Sequence, residues 1–345
     1  MSVFSMGAIG VDLGSENTVV ALQDEGVVLR EPTSILVNAE NESEIIALGK
    51  DAKRMMGRTD RETALLDPVC YGAVAHSEYA AMCLLGMSEK ACQRRRPFEK
   101  NRLCVTHPYG LTHVEKNALS QTVMLAGAKK ALLVPSAIAA AVGKDVHIER
   151  ASGNLIISIG YEITEISVIS MMGIVASRTM KTGSRAFDEA IIRFIRREKG
   201  LVIGAQTAEN LKKDIGSIMP DEKKTDTLTL RGRNVITGKP TTETITSRDI
   251  AKALDEPVRM LVETLCDALY NVPAELSGDL LDNGIHLTGA GSLLHGLPER
   301  IKTETQLKVF IGDNPENDAA LGACKIASDE KMIRALINAG SALEV

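Results

Sequence analysis

The chain has 345 residues and carries the stretch IGVDLGSENTVVALQDEGVVL at residues 9–29. An apolar run, a glycine turn, an alternating segment and a second glycine turn together predict a β-hairpin. The pattern returns as LIISIGYEITEISVISMMGIVAS at residues 155–177. An offset of 146 residues relates the two copies and aligns Gly14 with Gly160, Glu16 with Glu162 and Thr18 with Thr164. Two hairpins of common design in one chain predict two lobes that face each other.

The segments after each hairpin alternate strand and helix patterns, which predicts an α/β architecture. Helical spacing covers residues 112–128, 187–200 and 247–273. We expect one lobe (lobe I) to span residues 1–146 and 326–345, with a subdomain inserted at about 32–67. The other lobe (lobe II) should span residues 147–325, with a subdomain inserted at about 181–249.

Composition excludes several classes of protein. The net charge is −5, aromatic residues make up 3% and Trp is absent, so a nucleic-acid partner is not expected. The six cysteines are scattered without a CxxC pair, as in reduced thiols of a cytosolic protein. The longest apolar run, at residues 131–143, contains Pro135 and is too short to span a bilayer.

The first hairpin has features of a phosphate-binding turn. Gly14 permits a tight turn whose backbone N–H groups can face an anion. Ser15, Asn17 and Thr18 add short polar groups, and Asp12 is placed to orient a hydrated Mg²⁺. Taken alone, such a turn is more often a plain hairpin.

Two later segments have features of a nucleoside site. The segment at 284–296 predicts a strand, a glycine-rich turn and a helix, an arrangement that lets backbone approach a base or a sugar phosphate. The residues of this turn are Gly289, Ala290, Gly291 and Ser292. Glu209 and Lys212 lie three apart on one predicted helix face, where they suit ribose hydroxyls and a base, or form a solvated salt bridge.

The order of these motifs resembles the superfamily of actins, sugar kinases and heat-shock chaperones, and within it the MreB family of bacterial actins. The likeness covers nearly the whole chain and includes IGVDLGSENTVV, ITEISVIS, TAENLKKDIGS, NVPAELSGDLLDNGIHLTGAGSLLHGL and DNPENDAALGA. It implies an actin-like ATPase fold, with a ribonuclease-H-like mixed sheet flanked by helices in each lobe. It also implies ATP or ADP with Mg²⁺ as ligand, and Gly160 and Thr164 as further nucleotide contacts.

The resemblance implies a cytoplasmic, membrane-associated filament that organises rod shape and lateral wall synthesis. Its partners would be other copies of itself or another MreB, the inner membrane surface and wall-synthesis membrane proteins. A non-polymerising actin-fold adaptor or regulator and an actin-fold ATPase of the chaperone or sugar-kinase type remain alternatives.

The second hairpin departs from the family pattern Asp-Ile-Gly-Gly-Gly-Thr-Thr-Glu. Ser158 replaces the carboxylate that would help to organise a metal and an attacking water. Tyr161 brings bulk where glycine would let backbone approach phosphates, and Glu162 brings negative charge towards an anion. Ile163 removes a hydroxyl group.

A second departure lies at the family segment Ile-Glu-Glu-Pro, whose water-positioning glutamate is replaced by Pro135 and Ser136. No catalytic residue is therefore assigned, and we expect ATP hydrolysis to be very slow or absent. Arg185 lies near these segments and is expected to be a solvated surface residue rather than a compensating charge.

One basic segment suits a membrane surface. Arg94, Arg95 and Arg96 would meet anionic headgroups while Phe98 inserts into the lipid, as the resemblance implies for a loop at this position. A solvated basic loop is the equally weighted alternative.

Overall fold

A computed structural model of the chain describes residues 7–41, 44–55, 63–219 and 226–345. The first part of the chain forms, in order, β1 (Gly7–Leu13), β2 (Asn17–Leu22), β3 (Gly26–Pro32), β4 (Ile35–Asn38), β5 (Ile45–Leu48), α1 (Gly49–Met55), β6 (Thr63–Leu66), β7 (Val69–Cys70), β8 (Ala73–Val74), α2 (Ser77–Cys92), β9 (Asn101–His107), α3 (His113–Leu125), β10 (Ala131–Pro135) and α4 (Ser136–Gly143).

The second part forms β11 (Asn154–Ile159), β12 (Thr164–Ser170), β13 (Gly173–Met180), α5 (Ser184–Glu198), β14 (Leu201–Val202), α6 (Ala205–Ile215), β15 (Thr227–Asn234), β16 (Pro240–Thr246), α7 (Ser247–Tyr270), α8 (Ala274–Asn283), β17 (Ile285–Thr288), α9 (Leu297–Thr305), β18 (Val309–Ile311), α10 (Asp318–Ser328), α11 (Glu330–Asn338) and β19 (Leu343–Glu344). None of the helices in these described ranges combines the length and apolar character needed to cross a bilayer.

Two large sheets share the order of five strands. Read from the third strand after each repeat begins, the first sheet runs β3-β2-β1-β9-β10, with β19 added at its edge, and the second runs β13-β12-β11-β17-β18. In each sheet the hairpin strands pair antiparallel, and the next strand pairs parallel with the first strand of the hairpin. The internal repeat therefore corresponds to two sheets of the same topology, with the ribonuclease-H-like order predicted for each lobe. Two three-stranded sheets, β5-β4-β6 and β14-β15-β16, lie within the predicted inserted segments.

The two hairpin turns close in the same way. The N–H of Gly14 donates to the carbonyl of Asn17 at 3.1 Å, and the N–H of Gly160 donates to the carbonyl of Ile163 at 2.9 Å. A Cβ atom on either glycine would lie 2.8 Å or 3.1 Å from that same carbonyl oxygen. The turn itself thus excludes a side chain at Gly14 and leaves little room for one at Gly160.

Helices α4 and α10 pack closely because glycines face their neighbours' backbone. A Cβ atom on Gly322 of α10 would overlap the carbonyl oxygen of Ala139 and would lie 2.7 Å from the nitrogen of Gly143. Helix α10 also packs on β1 and β9 of the first sheet. The predicted boundary between residues 325 and 326 falls inside α10, and these contacts place the whole helix with lobe I.

Local sequence signals explain where helices begin. Thr112 and Glu115 form a capping box at the start of α3, and Thr246 and Asp249 form another at the start of α7. These bonds satisfy N–H groups that a helix leaves without intrahelical partners. Pro257 lies inside α7, and the helix runs on to Tyr270.

Candidate functional site

A cleft of about 820 Å³ lies between the two hairpin turns. Loop residues of both lobes, one face of α6 and the turn after β17 form its walls. The predicted site residues that line it are Asp12, Gly14, Ser15, Asn17, Gly160, Glu209, Lys212, Gly289, Ala290 and Gly291. Ser136 and Ser158, which stand at the altered family positions, line it as well.

Three residues predicted to contact a nucleotide have side chains that are buried and bond within the protein. Thr18, Thr164 and Ser292 are each at most 1% exposed. Their hydroxyls have partners as follows: Thr18 bonds to Thr33 Oγ1 at 2.8 Å, Thr164 donates to the Thr182 carbonyl at 2.8 Å, and Ser292 donates to the Gly289 carbonyl at 2.6 Å. These hydroxyls hold the turns in shape instead of facing the cleft.

The glycines of the turn after β17 are explained by packing against β11. Gly289 has φ +82°, and a Cβ atom on it would lie 2.8 Å from the carbonyl carbon of Ile159. A Cβ atom on Gly291 would lie 3.0 Å from the Ile159 oxygen. Because these two residues have no side chain, the turn can pack directly against Ile159 of β11, and the backbone of the turn then forms a wall of the cleft.

Glu209 and Lys212 line the cleft but do not pair with each other. Lys213 forms an ion pair with Glu209 at 2.6 Å, and Lys212 forms one with Asp188 at 2.8 Å. Burial opposes ionisation of Glu209, but the hydrogen bond and the charge of Lys213 outweigh it, so the pKa of Glu209 is lowered. Glu209 is thus ionised at the edge of the cleft, while the Lys212 ammonium is held on the lobe II side.

Two carboxylates line the cleft near each other, Glu165 buried and Asp12 partly buried. Asp12 accepts a hydrogen bond from Thr106 Oγ1, and burial raises the pKa of Asp12. Glu165 of β12 is 2% exposed and accepts the N–H of Tyr109 at 2.8 Å. Burial, opposed by the Tyr109 bond and reinforced by the charge of Asp12, raises the pKa of Glu165 to about 7.

Glu165 was not singled out from the sequence. The available signal was one ionisable residue, between Thr164 and Ile166, in a strand whose other residues are uncharged, because a buried carboxylate requires a specific partner. In the described part of the chain, no group of three or more His, Cys, Asp or Glu residues is arranged to hold a metal directly.

Comparison with known families identifies the relatives of this chain. The sequence model of the MreB/Mbl protein family matches residues 6–335. The chain belongs to the MreB/Mbl family.

This MreB homologue is 34% identical over 322 residues to the cell shape-determining protein MreB of Escherichia coli (strain K12), which covers 92% of each chain. It is 33% identical to the cell shape-determining protein Mbl of Bacillus subtilis (strain 168), over 91% of this chain and 93% of Mbl. The resemblance to MreB seen in the sequence is confirmed, and the protein is an MreB-like actin homologue.

Solved structures confirm the actin-like fold of this MreB homologue. The crystal structure of MreB5 of Spiroplasma citri bound to AMPPNP matches with a TM-score of 0.88 and 30% identity, and the match covers 97% of this chain and 99% of MreB5. A second MreB5 structure, bound to ADP, matches equally well. The MamK double helical filament matches with a TM-score of 0.76 at 18% identity over 94% of this chain and 99% of MamK, a likeness of fold alone.

The altered second hairpin of this MreB homologue contacts the opposite lobe. Glu162 accepts the N–H of Tyr71 at 2.6 Å and the guanidinium of Arg185 at 2.8 Å. Its charge is therefore balanced by Arg185 and not left facing an anion in the cleft. Arg185 also bonds Glu189 at 3.0 Å, and its side chain is 48% exposed, so it is a surface residue that pairs with two carboxylates.

The tyrosine of the same hairpin lines the cleft. Burial, followed by the negative charge of Glu16, raises the pKa of Tyr161 to about 12. Tyr161 is therefore neutral at physiological pH. Its side chain occupies space beside Gly160 where the family sequence would present only backbone.

The insertion of Phe98 into a membrane, as predicted from the sequence, is wrong for this structure. Phe98 is 3% exposed and packs in the hydrophobic core of lobe I, beside the first sheet. Arg94, Arg95 and Arg96 are exposed, and Arg94 donates to the carbonyl of Pro97 at 2.8 Å. Of the four residues predicted to contact a membrane, the three arginines are exposed and can meet an anionic surface, and Phe98 is buried.

Proposed function

We propose that this protein binds an adenine nucleotide in the interlobe cleft and assembles into an actin-type filament with little or no ATP hydrolysis. The observation that carries the proposal is the convergence of both hairpin turns and the Gly289–Gly291 turn on one cleft, in which Ser158 stands where the family has an aspartate. MreB5 of Spiroplasma citri, known with AMPPNP and with ADP, supports the choice of ligand.

The nucleoside end of the cleft fits such a ligand. Glu316 lines the cleft, and its Oε1 atom pairs with Arg30 at 2.8 Å. Its Oε2 atom is buried without a hydrogen-bond partner within the described residues. A buried acceptor of this kind suits a ligand that supplies hydroxyl or amino donors, as a ribose and an adenine do. Glu209 and the backbone at Gly289 would complete this end.

The phosphate end fits less well. Ser15 and Asn17 offer short polar groups, and the Asp12 and Glu165 carboxylates suit a hydrated Mg²⁺. Lys53, which also lines the cleft, is paired with Glu16. A bound cation would supply charge neutralisation for the phosphates, while the side chain of Tyr161 narrows the space available to them.

Slow hydrolysis follows from the groups around that end. An attacking water needs an acceptor to orient it and to take its proton. Ser158 and Ser136 carry hydroxyls, which are far weaker proton acceptors than the carboxylates of the family sequence. The pKa of Glu165 is raised to about 7, so this carboxyl group is protonated in about half of the molecules at neutral pH, and its Oε1 atom accepts the Tyr109 N–H.

The cellular role we propose is that of the cell shape-determining relatives. Copies would assemble with each other, or with another MreB, at the inner face of the cell membrane and alongside wall-synthesis membrane proteins. The exposed Arg94–Arg96 segment would supply contact with anionic lipid. A non-polymerising adaptor and an actin-fold ATPase of the chaperone or sugar-kinase type are the competing functions.

Three measurements on purified protein test the proposal. A fluorescent ADP analogue should bind saturably, phosphate release from ATP should stay at the protein-free background, and electron microscopy with ATP should show filaments. Rapid phosphate release would contradict the proposed loss of hydrolysis and favour the ATPase alternative. Nucleotide binding without filaments at any protein concentration would favour the adaptor.

A further inference from the structure

The turn between β7 and β8 is held by both hairpin loops. Its residues Tyr71 and Gly72 have φ values of +49° and +73°. The N–H of Gly72 donates to Ser15 Oγ of lobe I at 3.2 Å. The N–H of Tyr71 donates to Glu162 Oε2 of lobe II at 2.6 Å. A tyrosine at positive φ is unfavourable by itself, so these bonds hold a turn that would otherwise relax.

Two other lobe II residues contact the same turn. The side chain of Ile163 lies against Gly72, where a Cβ atom would be 2.9 Å from Ile163 Cδ1. The ammonium of Lys181 lies 5.8 Å from the centre of the Tyr71 ring, within the range of a cation–π contact. Lobe II therefore reaches the turn by a charged hydrogen bond, by apolar packing and by a cation over an aromatic face.

The lobe II side of this contact is itself fixed to α5. The N–H of Ser184 donates to the Gly160 carbonyl at 2.9 Å, and the N–H of Arg185 donates to the Tyr161 carbonyl at 2.8 Å. The Arg185 guanidinium then holds Glu162 at 2.8 Å. Because its backbone and its carboxylate are both anchored, the loop loses little conformational entropy when Glu162 bonds to Tyr71.

We propose that Glu162, Ile163 and Arg185 form an interlobe clasp on the Tyr71–Gly72 turn, which keeps the two lobes closed through protein contacts and without need of a phosphate chain. Two of the residues that depart from the family in the second hairpin, Glu162 and Ile163, thereby gain a common role. The proposal concerns the regulation of the same cleft, and its contacts do not depend on the proposed ligand. The closed arrangement of the two lobes is then stabilised by the protein alone. Separation of the lobes requires that the hydrogen bond from Tyr71 to Glu162 be broken.

Amide hydrogen exchange of the ligand-free protein tests the clasp directly. The Tyr71 amide should be protected in the unmodified protein, and Glu162→Ala should speed its exchange roughly tenfold or more, because a charge-assisted bond is lost. Arg185→Gln should give a smaller increase. Glu189→Gln is the matched control, since it removes the other carboxylate partner of Arg185 and leaves the Tyr71 bond. Equal exchange in Glu162→Ala and Glu189→Gln would overturn the proposal.

Small-angle X-ray scattering separates interlobe closure from a local effect on the turn. Glu162→Ala without ligand should have a larger radius of gyration than the unmodified protein, and Glu189→Gln should not. Equal radii for all three would overturn the clasp, even where the exchange rates differ. This comparison uses no nucleotide, so its outcome stands whether or not the proposed nucleotide binding is found.

Discussion

Glu165 and Tyr109 join the two lobes at the floor of the cleft. The Oε1 atom of Glu165, on β12 of lobe II, accepts the backbone N–H of Tyr109, which follows β9 of lobe I, at 2.8 Å. The carboxyl group is buried beside Asp12, and each of the two groups has a raised pKa. The hydrogen bond between Glu165 and Tyr109 therefore links the two lobes through a carboxyl group whose ionisation is opposed by the charge of Asp12.

We predict that Glu165→Gln alters how stability depends on pH. The folded pKa of about 7 exceeds the ordinary value of 4.5. Between these values the folded state keeps a proton that the unfolded state releases, so Glu165 makes the protein less stable as pH rises through this window. Glutamine cannot ionise and keeps the acceptor for Tyr109. The variant should gain about 1–3 kcal/mol relative to the unmodified protein between about pH 5 and about pH 8.

The measurement is urea unfolding of both proteins at several pH values. His107 and His286 have pKa values lowered to about 4 by burial, and they stabilise the protein with rising pH over part of the same range. Both proteins contain these histidines, so the difference between the two curves isolates Glu165. A constant difference across the window would show that Glu165 titrates normally.

The repeat and the cleft were predictable because glycine turns and alternating strands leave a direct trace in the sequence. The sequence does not indicate in which direction a hydroxyl group of such a turn points. Thr18 and Thr164 occupy equivalent places in two turns of the expected type, yet both are buried against their own lobes. Phe98 shows the same limit, because its neighbours in sequence are charged and its neighbours in space come from distant strands. Contacts between segments far apart in the chain decide these side chains.

A nucleotide should bind more tightly when the second hairpin is returned towards the family pattern. Tyr161→Gly together with Ser158→Asp removes the side chain that narrows the phosphate end and adds a carboxylate for a hydrated cation. One or two new bonds to a phosphate would lower the Kd for Mg-ADP by roughly tenfold or more. Titration of a fluorescent ADP analogue measures the change.

The control for this pair of substitutions is Tyr270→Gly. Tyr270 lies at the end of α7 with its side chain 90% exposed, outside the cleft, so the loss of a tyrosine there should leave the Kd unchanged. An unchanged Kd in the double variant would mean that the loop at Gly160 does not contact phosphate.

Membrane binding should depend on the arginines and not on the phenylalanine. Changing Arg94, Arg95 and Arg96 to Ser removes three exposed charges, each contributing about 1 kcal/mol near an anionic surface, so binding should weaken roughly 100-fold. Co-sedimentation with vesicles rich in anionic lipid measures it. The matched control changes three exposed arginines of α5, Arg193, Arg196 and Arg197, and should bind as the unmodified protein does. Equal weakening in both variants would indicate a general charge effect.

The contact between α4 and α10 should tolerate no added methyl group. Gly322→Ala places a Cβ atom over the carbonyl oxygen of Ala139 and 2.7 Å from the nitrogen of Gly143, both of which are helix backbone and cannot rotate away. The helices must separate, at a cost of about 1–3 kcal/mol or more, and the melting temperature should fall by several degrees.

Gly278→Ala is the control, because Gly278 lies in α8 with no atom within 4 Å of an added Cβ and with no positive φ. Alanine has the higher helix propensity, so this variant should be neutral or more stable by up to about 1 kcal/mol. Melting followed by circular dichroism compares the two variants. If Gly322→Ala has the same melting temperature as Gly278→Ala, α4 and α10 are not packed as closely as the glycine contacts require.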